Sequence, residues 1–377
     1  MKKLAIILSL IVIASMVLAA CGSAPESTEA PAPAPTEALA EPTAVPEPTE
    51  PPMPAWEAPE GALVSYPADA APTLDGVADD AVWANASEIV IPVDGGFNNF
   101  ETDVTIKSVY SGDVVYFVVS YADPTESFFR SPWQLQADGT WVKIKDPNDK
   151  GGDNNTVYED KMALIWPINN SIPKFETAGC FTACHAGENS DAKPYGNKYT
   201  ANEGELGDIW HWKSIRNLGQ IDDQFLDAVR YSADTPEAGR HSDAKESGGY
   251  VDNVNEDKTG PAFTSPAVDT TTGAPGFILD SEKVAIDPAV LTEGAYIPGI
   301  IKSPFVGDRA DITAAWKWEN GVWTIEFSRA LTTGSETDVQ FSDLATMYYF
   351  GIAVFENAQV RHAYQSGSTP FVFMPKP

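Results

Sequence analysis

From Trp56 onward, short runs of alternating apolar and polar residues are separated by Gly, Asp, Asn and Pro. Alternation with period two marks half-buried strands, because successive side chains of a strand face opposite sides. The runs predict strands over Ala62–Tyr66, Ile89–Val93, Asp103–Tyr110, Val114–Tyr121, Lys161–Trp166, Ala310–Trp318, Val322–Ser328 and Tyr348–Phe355. Turn residues sit between them, as in Ser111-Gly112-Asp113, and Asn320-Gly321 between WKW and VWTIEF is a strong hairpin signal. One helix is expected around Asp222–Tyr231. The pattern is all-β and predicts a sandwich of immunoglobulin-like or jelly-roll type with short helices.

From Glu188 to about Ile300 the chain is poor in apolar residues and rich in Asp, Gly, Thr and Pro. This predicts a long loop-rich insertion laid over one side of the sandwich. The N-terminus differs again. MKKLAIILSLIVIASMVLAAC has two lysines, a short apolar run and small residues up to Cys21, the layout of a secretory signal over residues 1–20. Its ending, Leu18-Ala19-Ala20-Cys21, resembles the bacterial lipoprotein signal, in which the cysteine is acylated and holds the mature chain to the outer face of the cytoplasmic membrane. Residues 21–55 are almost entirely Pro, Ala, Glu, Thr and Ser, a composition that builds no core and predicts a disordered tether. Residues 56–377 remain as the folded domain.

Charge narrows the partners. With 54 acidic and 24 basic residues the formal net charge is -30. Such a surface repels nucleic acid and anionic lipid and favours a basic docking partner. No nucleophile–base motif or phosphate loop is present, so the sequence is read as that of a carrier or binding protein, not an enzyme.

The chemistry concentrates in GCFTACHAG, Gly179 to Gly187. With Cys21 lipidated, Cys180 and Cys184 are the remaining cysteines, and His185 follows the second directly. Two thiols and an adjacent imidazole are the arrangement that attaches a c-type haem, the thiols joining vinyl groups and the histidine reaching the iron. Three residues separate the cysteines here, where the usual motif has two. A short-range disulfide or a share of a zinc site are the competing readings. There are four histidines. His185 is the proximal candidate. His362 is the preferred distal one, His211 between Trp210 and Trp212 is the alternative, and Met162, Met374 and Lys213 follow behind. His241, in a polar stretch, is expected to be exposed. The loop Asp146–Asn155 resembles a calcium site but places Lys150 and Val157 at ligand positions of the EF-hand pattern, so calcium is the weaker expectation.

Two resemblances extend this reading. APTLDGVADDAVWANA, with Leu74-Asp75-Gly76 and Trp83, resembles the opening of sandwich domains related to family 9 carbohydrate-binding modules and the DOMON group. Asp75-Gly76 is read as a turn and Trp83 as a plug at the end of the sandwich. The segments Tyr158–Trp166, Gly207–Ser214 with its WHWK core, and Tyr349–Asn357 with His362 resemble the haem-binding domain of ethylbenzene dehydrogenase gamma subunits and related cytochromes. In b-type members a methionine and a lysine hold the haem. The resemblance implies that His185 takes the methionine's place, that His362 takes the lysine's, and that Trp210 and Trp212 pack beside the haem. It implies a single covalent haem c in an extracytoplasmic, membrane-anchored cytochrome. Its redox partner would be a respiratory oxidoreductase such as a molybdenum enzyme. The alternative is a carbohydrate-binding or ligand-sensing surface lipoprotein.

Overall fold

The structure, a computed structural model, describes residues 56–149, 152–184, 198–230, 234–235 and 239–376. Cys21 and His185, with the expected signal and tether, lie outside them. Among the described residues no helix is long and apolar enough to cross a membrane.

Thirteen strands form one hydrogen-bonded sheet folded into two layers. In chain order they are β1 (Leu63–Pro67), β2 (Ile89–Asp94), β3 (Thr102–Ser111), β4 (Val114–Ala122), β5 (Lys161–Pro167), β6 (Gly207–Lys213), β7 (Gln220–Leu226), β8 (Arg240–Ser242), β9 (Ile312–Glu319), β10 (Val322–Ala330), β11 (Tyr348–Phe355), β12 (Ala363–Gln365) and β13 (Thr369–Phe373). One layer runs β2-β3-β4-β10-β9 and the other β7-β6-β5-β11-β13-β1. The layers join where β9 pairs with β7, where β12 bridges β2 and β11, and where β1 pairs with both β13 and β3. Pairing along both borders leaves few unpaired strand edges.

The strand alternation read from the sequence fills the space between the layers. Val115, Phe117, Val119 and Tyr121 of β4 and Trp323, Ile325 and Phe327 of β10 point inward against Met162, Leu164 and Trp166 of β5, Trp210 and Trp212 of β6, and Phe350 and Phe371. Phe117 is central, with ring centroids 5.2 Å from Phe327 and 5.7 Å from Trp210. The hairpin at Asn320-Gly321 forms as expected: both residues have positive φ, 54° and 81°, and Glu319 pairs with Val322.

Three expectations are corrected. Residues 220–226 form β7 and not a helix: Ile221 and Asp223 are buried on the inner face of the strand, and Asp222 and Gln224 on the outer face pair with Lys213 and His211. For the same reason β6 and β7 belong to the principal sheet and are not part of an insertion over 188–300. The layer that does overlie the sheet includes a small three-stranded sheet of Gly248–Asp252, Ile300–Phe305 and Ile278–Leu279. Trp133, Ile278, Ile297 and Ile301 form a separate apolar cluster beneath it. Trp83 does not plug an end of the sandwich. It packs on the outer face of β3 and β4 against Val109 and Val118 and donates its indole N–H to Glu326 at 3.0 Å. The Asp75-Gly76 turn is also tied to Glu326, which accepts both backbone N–H groups at 3.1 and 2.8 Å. Gly76 has φ +80°, and a Cβ there would meet the Trp316 carbonyl carbon at 2.6 Å.

Candidate cofactor site

The outer face of β11, β5, β6 and β7 is the floor of a cavity of about 570 Å³. Alternation assigns each strand's residues to core or cavity. On β6, Asp208, Trp210 and Trp212 point into the sandwich, while Ile209, His211 and Lys213 face the cavity. The expected packing of Trp210 and Trp212 against a cofactor is therefore replaced by packing within the core, one residue out of phase with His211. On β5 Lys161, Ala163 and Ile165 face the cavity, and on β11 Gly351, Ala353 and Phe355 do. Small side chains at 163, 351 and 353 hollow out the floor.

Cys180, Cys184, His211 and His362 all line this one cavity, although 182 residues separate the first from the last. The cysteine loop is held by its flanks. A short helix, Phe175–Ala178, buries Phe175 against Ile165, Ile172, Ile209 and Leu226. Gly179 then lies beside Gly367, paired by a parallel bridge, at φ +56°, and a Cβ on Gly179 would fall 1.9 Å from the Gly367 carbonyl oxygen. Both cysteines are free. Burial pushes the Cys180 thiol up to about 12 and the Cys184 thiol up to about 11, so both are neutral thiols at physiological pH.

His211 is buried and has two distinct ring nitrogens. Nδ1 lies 3.1 Å from Gln224 Oε1 on β7, whose amide nitrogen is oriented by Asp222 Oδ2 at 3.2 Å. Nε2 is buried with no hydrogen-bond partner. Burial, then the charges of Lys213, Arg240, Lys161 and Arg216, hold the imidazole well below its usual pKa, so it is neutral. A neutral imidazole with one nitrogen fixed by an acceptor and the other directed into a cavity is the form a metal accepts. The rings of both His362, at 4.8 Å, and His211, at 5.9 Å, lie against the Phe355 ring. His362 Nδ1 lies 3.2 Å from the Val360 carbonyl oxygen. Met162 is in the sandwich core, and Met374 packs partly buried against a small cluster of Ala62, Val64 and Val372. His241 is half-buried and not exposed, with Nε2 3.1 Å from Asp227 Oδ2.

The described residues of the 146–155 loop make contacts of their own. Asp153 pairs with Arg361 through two contacts of 3.0 Å. Asn155 Oδ1 accepts the backbone N–H groups of Val360 and Arg361, and Asp149 pairs with Lys145. These contacts fasten the segment that carries His362.

Sequence reasoning missed the charge of the cavity wall. Arg130, Lys161, Lys198, Lys213, Arg216 and Arg240 line it, and among the described residues no Asp or Glu does. A quarter of the chain's 24 basic residues thus surround one cavity of a protein with 54 acidic ones. Lys213 is answered from behind the wall by Asp222, and Arg216 by Glu159. The rest of the lining mixes apolar side chains, Ile165, Ile209, Leu226 and Phe355 among them, with the polar Tyr158, Tyr250, Gln224 and Gln359. The arrangement suits a flat apolar molecule with anionic groups at one edge. A haem, with its apolar ring and two propionates, has this shape and charge, and the volume is in the range of cofactor pockets.

A family model described as ethylbenzene dehydrogenase matches residues 80–367, a span that includes every described wall residue named above. The chain belongs to this family. No curated protein matches the chain significantly. Solved structures similar to this ethylbenzene dehydrogenase family member include a family 9 carbohydrate-binding module from Caldicellulosiruptor kristjanssonii in complex with glucose. It shares 9% identity over 83% of this chain and 97% of that one, with a TM-score of 0.32. A putative carbohydrate-binding protein from Bacteroides uniformis shares 7% identity over 83% and 98%, with a TM-score of 0.33. Overlaps this loose are no guide to what the chain binds.

Proposed function

We propose that the cavity holds one haem, attached through Cys180 and Cys184, and that the protein carries electrons for an oxidoreductase of its family. The observation that carries this reading is the buried, partnerless Nε2 of His211 in a wall shared with both cysteines and six basic side chains. His185, next in sequence to Cys184, is assigned the proximal side of the iron. For the distal side we assign His211, with His362 as the alternative.

A haem held by two protein ligands exchanges single electrons and offers no open position to a substrate. The chain's residues divide the supporting tasks. Gln224 accepts the Nδ1 proton of His211, which fixes the ring and directs Nε2 into the cavity. Ala163, Gly351 and Ala353 leave room for a flat ring, and Ile165, Ile209 and Leu226 exclude water from one side. Arg130, Arg216 and Lys161, also in the wall, would supply charge-assisted donors for the carboxylates of a bound haem. The lipoprotein-like N-terminus supports export and anchoring outside the membrane, where covalent haem attachment takes place in bacteria, and the acidic composition suits a basic redox partner such as a molybdenum oxidoreductase subunit.

Expression with a c-type maturation system, followed by denaturation, tests the reading. Haem that remains with the polypeptide supports it; a haem-free product rejects it in favour of a ligand-binding lipoprotein. His211→Ala is expected to convert a low-spin spectrum to high-spin, with His362→Ala leaving it low-spin. The reverse pattern would reassign the distal ligand.

A further inference from the structure

On the far side of β6 and β7 from the cavity, at one end of the sandwich, lies a cluster of buried carboxylates that the cofactor reading does not use. Asp208 of β6, Asp223 of β7 and Asp338 are each at most 1% exposed, and one carboxylate oxygen from each lies within 4.8 Å of the others. A single guanidinium faces them. Arg329 Nη1 is 3.2 Å from Asp208 Oδ2, and Nη2 is 2.7 Å from Asp338 Oδ2. Asp208 Oδ2 also accepts Trp210 Nε1 at 3.0 Å and the Val339 N–H at 2.9 Å. These contacts use the Oδ2 atoms and leave Asp208 Oδ1, Asp338 Oδ1 and both oxygens of Asp223 buried without a hydrogen bond.

A fourth carboxylate stands outside this triad. Asp243 is 3% exposed, and neither of its oxygens has a hydrogen-bond partner. Its backbone N–H is donated to the Asp223 carbonyl, and its carboxyl lies within hydrogen-bond reach of that of Asp338. Asp208 Oδ1, Asp338 Oδ1 and both Asp223 oxygens are thus buried without a hydrogen-bond donor, the nearest cation to Asp223 being Arg329 Nε at 4.0 Å from Oδ2, and the Asp243 carboxyl has only another carboxyl beside it. Four carboxylates against one guanidinium leave an excess of negative charge in the protein interior, which is costly without a counter-charge. Asp308 and Asp311, half-buried, continue the acidic surface from Asp338 toward solvent.

We infer that Asp208, Asp223, Asp243 and Asp338 bind a divalent cation of the calcium type. The donor set is all oxygen and all anionic, which selects a hard cation. The clustered oxygens of Asp208, Asp223 and Asp338, with Asp243 beside them, suit calcium, which completes six to eight positions with carboxylates and waters in flexible geometry, better than magnesium, which demands a near-ideal octahedron. Asp223 is followed by Gln224, and Asp208 precedes His211 by three residues on β6. The ion would therefore brace, from inside, the strand pair whose outer face carries His211.

The full-length protein as isolated should retain about one equivalent of calcium after dialysis against calcium-free buffer. Treatment with EDTA should lower its melting temperature and added calcium should restore it. Terbium loaded into the EDTA-treated protein should luminesce on tryptophan excitation, because Trp210 touches Asp208, and calcium should displace it. Asp223→Asn and Asp243→Asn should each abolish that signal. If either variant fails to fold, calcium content and calcium-dependent melting of the unaltered chain still decide. A chain that holds no calcium and gives no terbium signal would overturn the proposal, its carboxyls then being neutralised by protons. So would a signal that survives both substitutions and disappears in Asp149→Asn, since the ion would then lie in the 146–155 loop. Neither outcome bears on whether haem is attached.

Discussion

His211 and Gln224 meet across neighbouring strands, Nδ1 to Oε1 at 3.1 Å, on the one face of β6 and β7 that does not look into the sandwich. The contact fixes which imidazole nitrogen is available to the cavity. In the haem-loaded protein, Gln224→Ala should weaken His211 as a ligand by about tenfold, the lower end of outer-shell effects on metal sites. Titration with free imidazole, followed by the absorption spectrum, measures this as easier displacement. An unchanged titration would remove His211 from the iron.

Gly179→Ala should be more damaging than an ordinary loop substitution. Its Cβ would sit 1.9 Å from the Gly367 carbonyl oxygen at φ +56°, so the loop that carries Cys180 must shift. Gly204 has φ +85° with nothing within 4 Å of an added Cβ, and Gly204→Ala should cost only the conformational penalty of about 1 kcal/mol. Thermal melting of the two variants should separate them, and the yield of covalent haem should fall for Gly179→Ala alone.

Glu326 accepts three donors, Trp83 Nε1 and the N–H groups of Asp75 and Gly76, and is fully buried. Glu326→Ala strands all three and should destabilise the domain by about 3 kcal/mol. Denaturant unfolding gives the loss, and spectra of the cofactor site should not change, because β10 lies in the opposite layer.

Much of the framework was legible because its strands have one dry and one wetter face. Val114–Ala122 alternates visibly, and Asn320-Gly321 announces its own turn. β6 was hidden for the opposite reason: all seven residues are buried, so its polar members mark a second interior face and not solvent. β7 looked helical because Asp222 and Asp223 read as surface charges, whereas Asp222 pairs with Lys213 and Arg309 and Asp223 faces Arg329. At the cavity, rare residues were informative: three cysteines and four histidines leave few combinations. The cationic wall could not be read, because Arg130, Lys161, Arg216 and Arg240 are far apart in the chain and common in kind.

Stability should fall with rising pH in calcium-free buffer. Burial pushes Asp123 and Asp208 up to about 7 and Asp243 up to about 9 in the folded protein. The unfolded chain releases these protons near pH 4. Between those limits the folded state binds more protons than the unfolded state, so unfolding free energy decreases as pH rises. Urea midpoints measured with EDTA should be higher at pH 5 than at pH 7; above pH 7 the buried lysines, held below their usual pKa by burial, work in the opposite direction. A midpoint that rises from pH 5 to pH 7 would contradict the burial of these acids.

The division of β6 into alternate positions separates two kinds of constraint on one short segment. Residues 208, 210 and 212 answer to the packing of the interior, and 209, 211 and 213 to whatever occupies the cavity. A change at 211 therefore alters the inventory of the site without reopening the core. The sandwich can in this way serve as a fixed chassis, refitted for a different ligand set by single replacements along one side of a strand.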